Sequence, residues 1–108
     1  MYFSLNRGVY AVATTPYSPN GEQNFEALEL GINRAIDAGV SGLLVLGATG
    51  EALALTSEER EAQIRHAVSV AAGQIDIVVG CMGYTPQEVL EQIKTAAELG
   101  AQDRKSVV

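Results

Sequence analysis

Apolar residues follow two spacings along this chain. Short runs with little polar interruption occur at Val9-Tyr10-Ala11-Val12-Ala13-Thr14-Thr15, Leu43-Leu44-Val45-Leu46 and Ile75-Asp76-Ile77-Val78-Val79. Four apolar residues in a row, as in Leu43 to Leu46, suit a short strand buried on both faces of a parallel sheet. The first run is β-prone and stops at Pro16, which cannot continue a ladder. Tyr17 to Gly21 then has the chemistry of a loop.

Between the runs the apolar residues recur at helical spacing. Asn24 is placed to cap a helix over Phe25 to Ala38, with Phe25, Leu28, Ile32, Ala35 and Ile36 on one face and Gly39 as its terminator. Thr56-Ser57-Glu58-Glu59 reads as a capping box, in which hydroxyl and carboxylate each satisfy an orphan backbone N–H. The helix it opens turns Ile64, Ala67, Val68 and Ala71 inward and ends near Gly73. Glu58 and Glu59 are read as helix-start charges rather than acid/base groups. Thr85-Pro86-Gln87-Glu88 predicts a second box, with Pro86 at the favoured first position. Its helix buries Val89, Leu90, Ile93, Ala96 and Ala97 and stops at Gly100.

Strand and helix therefore alternate three times, with strands starting near Val9, Leu43 and Ile75. The period is roughly thirty-odd residues, the size of one unit of a (β/α)8 barrel. The class is α/β, and the pattern accounts for the first three βα units of such a TIM barrel. A small doubly wound sheet is the alternative, although no G-x-G-x-x-G follows the first strand. The second run leads into Gly47-Ala48-Thr49-Gly50-Glu51, where glycines let backbone and ligand come close and Thr49 adds a hydroxyl. That end of a parallel strand is where α/β folds bind ligands. A tight strand-to-helix turn without any ligand would have the same spacing.

Composition narrows the chemistry. The net charge of −6, from 13 acidic and 7 basic residues, argues against nucleic acid or an anionic membrane as the partner. No apolar run approaches the ~18 residues of a membrane span, and Met1 to Gly8 lacks a signal-peptide pattern. Cys81 is the only cysteine, so no internal disulfide can form; it is read as a small buried hydrophobe in a cytoplasmic protein. His66, the only histidine, is read as a helix-packing residue, and Lys94 as solvated charge on an outer helix. Neither a metal-ligand spacing nor a Ser/His/Asp set can be built. No metal and no cofactor are expected.

These motifs in order resemble the dihydrodipicolinate synthase/N-acetylneuraminate lyase family. Gly8-Val9-Tyr10-Ala11 with Thr15-Pro16-Tyr17 is similar to its opening G-V-x…T-P-F. Asp37-Ala38-Gly39-Val40-Ser41-Gly42-Leu43 is similar to the segment leading into strand two. Gly47-Ala48-Thr49-Gly50-Glu51 followed by Leu55-Thr56-Ser57-Glu58-Glu59-Arg60 resembles G-[ST]-T-G-E…L-[ST]-x-E-E. The match is collinear from about Gly8 to Ala101. The resemblance implies a (β/α)8 barrel and a class I aldolase that forms a Schiff base between a strand-six lysine and a 2-keto acid, usually pyruvate. It implies a relay tyrosine after strand five, a homo-oligomer, typically a tetramer, and a carboxylate held at Ala48 and Thr49, by the Thr49 hydroxyl and the amides of the turn.

The chain departs from the family pattern twice. Ala48 stands where the family usually has a serine or threonine of the proton relay, and alanine can neither donate nor accept. This favours a less typical aldolase, dehydratase or hydratase-aldolase. After Gly100-Ala101 the sequence Gln102-Asp103-Arg104-Lys105-Ser106-Val107-Val108 does not resemble strand four. Residues 1–102 are thus read as the barrel's amino-terminal part, and 103–108 as a non-family tail resembling translated sequencing-adapter DNA. The lysine and tyrosine then fall beyond the chain, no catalytic residue is assigned, and the fragment alone is expected to be inactive. Ser57, Arg60 and Tyr84 occupy the region that binds the inhibitor in lysine-regulated members, and lysine feedback is not expected. The alternative is a short paralogue without catalysis that binds an anion or a partner.

Overall fold

The computed structural model describes residues 7–101; the tail 103–108 lies outside the described residues. Three parallel strands, β1 (Tyr10–Val12), β2 (Gly42–Val45) and β3 (Asp76–Val79), lie in the order β1-β2-β3. Helices α1 (Phe25–Asp37), α2 (Ser57–Ala71) and α3 (Pro86–Ala96) follow them in turn. The register aligns Tyr10 with Gly42 and Gly42 with Asp76. The Ala13 N–H donates to the Leu44 carbonyl at 2.8 Å and carries the β1–β2 pairing one residue further.

Local signals set most boundaries. The Asn24 side chain accepts from the Ala27 N–H, and Gly39 follows the helix at φ 80°. Thr56 and Glu59 form the complete predicted capping box. At α3 only half of the second box forms. The Thr85 hydroxyl accepts from Glu88 N–H, but the Glu88 carboxylate accepts from Tyr84 N–H, one residue before the cap. β1 is also shorter than the β-prone run Val9 to Thr15, since the chain leaves the ladder before Pro16. β2 ends at Val45 instead of Leu46 because Leu46 turns to φ 59°.

Alternate strand residues face opposite ways. Leu43, Val45, Ile77 and Val79 join one core with Leu28 and Ile32 of α1, Ile64, Ala67 and Ala71 of α2, and Ala96 of α3. Ile32, Ile64 and Ile77 are fully enclosed there, each contributing on the order of 1.5–3 kcal/mol. Leu90 departs from its predicted place in this core. It is 65% exposed, because no described element packs over its part of α3.

The opposite face carries Val12, Leu44 and Val78, with Tyr10, Gly42 and Asp76 one row below. The Tyr10 hydroxyl donates to the buried Asp76 carboxylate at 2.6 Å, its ring crossing Gly42. A Cβ on Gly42 would overlap that ring and stand 2.9 Å from the Asp76 carbonyl oxygen. Glycine at 42 is therefore required by close approach, although its φ is ordinary.

Val12 is half exposed, and a groove of about 440 Å3 runs between β1 and α1, lined by Val12, Leu28, Ile32, Ala35 and Leu43. An apolar groove beside a strand edge is a template for association. The 108-residue chain alone is expected to self-associate or to melt broadly, as read by size-exclusion chromatography and circular dichroism. A monomer with one sharp transition would contradict this.

Candidate functional site

The site begins where β2 breaks. Leu46 at φ 59° is a left-handed leucine, a conformation that costs an L-residue on the order of 1–3 kcal/mol. It is held because the residue is fully enclosed in the core. Gly47 and Gly50 are buried, while Ala48 and Thr49 between them are exposed. The Glu51 N–H bonds back to the Ala48 carbonyl at 3.0 Å, and Glu51 itself is left-handed at φ 58°. A single 3-10 turn, Ala52–Ala54, then leads toward α2. The two predicted binding positions, Ala48 and Thr49, thus lie together at the exposed tip of a turn at the sheet's carboxyl end.

Two glycines let other backbone approach this turn. A Cβ on Gly50 would come 3.1 Å from the Leu46 nitrogen and 3.3 Å from the Ala13 carbonyl oxygen. A Cβ on Gly80, after β3, would overlap the Leu46 carbonyl oxygen and stand 3.0 Å from the Gly47 Cα. The turns after β2 and β3 are therefore in main-chain contact. Underneath, Arg60 is 7% exposed and its Nη2 donates to the Gly80 carbonyl at 3.0 Å. From the β1 side, the Thr15 hydroxyl donates to the Gly50 carbonyl at 2.6 Å.

Other chemistry-bearing side chains take structural places. Cys81 is buried, and burial pushes its thiol up to about 11, with Arg60 pulling the other way. Burial likewise lowers the Arg60 guanidinium from its ordinary value. The His66 ring packs 5.1 Å from Phe25, as a helix-packing residue does. Lys94 is exposed on α3. Among the described residues no group of three His, Cys, Asp or Glu could hold a metal, and no helix is long and apolar enough to cross a membrane. Sequence reasoning did not assign Thr15, Arg60 or Gln63 to this site. The available signal was Arg60 and Gln63 falling on the inward stripe of α2, in step with Ile64, Ala67 and Ala71.

Parallel strands alternating with helices, with a glycine-bracketed turn at the carboxyl end of a strand, define the class: the opening βα units of a TIM barrel. The sequence profile of the Dihydrodipicolinate synthetase family matches residues 5–108, and the chain belongs to that family. It is 38% identical over 95 residues to the 4-hydroxy-tetrahydrodipicolinate synthase of Thermotoga neapolitana, an alignment covering 88% of this chain and 32% of that one. The crystal structure of dihydrodipicolinate synthase from Aquifex aeolicus superposes with a TM-score of 0.86 at 37% identity, over 94% of this chain and 34% of that chain. The synthase from Acinetobacter baumannii, solved as a chloride-inhibited complex with pyruvate, gives 0.86 at 30% identity over 93% and 34%. These relatives are TIM barrels, and the chain has the fold of their first βα units. It spans about a third of their length.

Two outcomes test the site's construction. In a barrel completed by the remaining strands of a relative, Gly80→Ala is expected to destabilise the fold by about 3 kcal/mol or more in thermal melts, since the obstructing atoms are backbone. With the thiol raised to about 11, Cys81 alkylation by iodoacetamide should be slow at pH 8 and rise about tenfold per pH unit. The same shift lies above the ordinary value of 9.0, so the unfolded thiol ionises first and stability falls as pH rises from 9 towards 11. Fast labelling at pH 8 in the folded state would contradict this burial.

Proposed function

We propose that this chain is the amino-terminal third of a Schiff-base-forming lyase or synthase that acts on pyruvate or another 2-keto acid. The observation that carries the reading is the Gly47–Gly50 turn, with Thr49 exposed at its tip, in a chain of this family. A carboxylate is an acceptor-only group, and a hydroxyl with neighbouring backbone N–H groups is the kind of concavity that receives one. The pyruvate complex of the Acinetobacter baumannii relative supports the choice of ligand.

In this reading Thr49 and the turn amides hold the keto-acid carboxylate. The nucleophilic lysine and the relay tyrosine come from later strands. Lys94, exposed on α3, belongs to the helical layer outside the sheet and is not that lysine. Ala48 puts a methyl group where a hydroxyl would pass a proton, so the relay here runs without that member. The reaction is accordingly carbon–carbon or carbon–oxygen lyase chemistry of a less typical kind, in a cytoplasmic homo-oligomer.

The test completes the barrel by grafting residues 7–101 in place of the matching segment of the Thermotoga neapolitana synthase. Borohydride with pyruvate should trap a covalent adduct in the graft. Thr49→Val should raise the KM for pyruvate about tenfold or more, the loss of one hydrogen bond to a charged group. Ala48→Thr should raise kcat at least about tenfold if proton relay limits the rate. A folded graft that traps no adduct would overturn the reading.

A further inference from the structure

Below the sheet's carboxyl end, the inward stripe of α2 contains two buried polar side chains one turn apart, Arg60 at 7% and Gln63 at 1% exposure. Burying such groups costs free energy unless they are hydrogen-bonded. Each is directed toward one flank of the same turn. Arg60 bonds the carbonyl of Gly80, the residue whose Cα packs against the Leu46 and Gly47 main chain. Gln63 meets Thr15 on the β1 side, its amide 3.3 Å from the Thr15 Oγ1.

Thr15 is 4% exposed and stands directly before Pro16. Its hydroxyl has one proton, and the 2.6 Å contact to the Gly50 carbonyl takes it. A second donation, to Gln63 Oε1, is then impossible. Turned over, the amide presents Nε2, which otherwise has no partner, as a donor to the Thr15 oxygen. The consistent network therefore runs from the Gln63 amide to the Thr15 hydroxyl to the Gly50 carbonyl, each donor meeting one acceptor.

We propose that Thr15, oriented by Gln63, is a positioning residue for the carboxylate-holding turn. Fixing the Gly50 carbonyl fixes the peptide that closes the turn. Gly50 has no other place to go, with the Leu46 nitrogen and Ala13 oxygen close against it. The exposed tip at Ala48 and Thr49 then keeps a constant separation between its N–H groups and the Thr49 hydroxyl. Thr15 touches neither ligand nor reacting atoms, so its loss weakens keto-acid binding and leaves the chemical step alone. The inference rests on the reading that this turn holds a 2-keto acid.

The experiment uses the graft of residues 7–101 and compares Thr15→Val, Thr15→Ser, Gln63→Met and Thr49→Val with the unsubstituted graft. Folding is checked by melting, and pyruvate KM and kcat are measured well below the transition. Thr15→Val, which keeps shape and removes the hydroxyl, should raise KM about tenfold with kcat within about twofold. Thr15→Ser should restore KM, and Gln63→Met should reproduce part of the increase. A lower melting temperature with unchanged KM in both Thr15→Val and Gln63→Met would overturn the proposal in favour of a purely stabilising hydroxyl. A fall in kcat at constant KM would overturn it as well. If Thr49→Val leaves KM unchanged, the carboxylate reading itself fails, and the proposal fails with it. If Thr49→Val raises KM while Thr15→Val does not, only the positioning role is lost.

Discussion

At the carboxyl end of β2 the main chain reverses through a leucine, and the site is built around the means of holding it there. Leu46 at φ 59° would relax toward extended backbone if its surroundings were soft. They are not: the residue is fully enclosed, and its carbonyl lies against Gly80 where no side chain could fit. Packing of the side chain and exclusion of any Cβ at Gly80 together offset the local strain. The Gly47–Gly50 turn inherits its position from that constraint.

The polar groups beneath the turn complete the same arrangement. A helix whose inward stripe was wholly apolar could pack against the sheet, but it could not bind the carbonyls left where the strands end. Buried backbone acceptors need partners. Arg60 and Thr15 supply them at Gly80 and Gly50 respectively. Burial in this position lowers the proton affinity of the Arg60 guanidinium.

Much of this was legible in the sequence, and the reasons are physical. Caps and terminators are short-range, so Asn24, Gly39 and the Thr56–Glu59 box could be read directly. The order of strands and helices followed from periodicity, and the position of Ala48 and Thr49 from the glycines around them. Leu46 carries no local sign of positive φ, because tertiary packing imposes it. Leu90 has the spacing of a buried residue, yet spacing fixes only the face of a helix, not what covers it. Thr15 and Gly50 are 35 positions apart, so their bond depends on strand register that no single stretch encodes. The Tyr10 hydroxyl reaching Asp76 across Gly42 is of the same kind, linking β1 to β3 over the strand between them.

The contacts that locate the turn are mostly main-chain atoms: the Leu46 carbonyl and nitrogen, the Gly47 Cα, the Ala13 oxygen. None of them depends on what residue occupies the tip. A methyl group at Ala48 can therefore replace a hydroxyl without moving Thr49 or its peptide. The strand end and its tip are thus separable: a side chain at the tip can be exchanged without refolding the strand end that carries it.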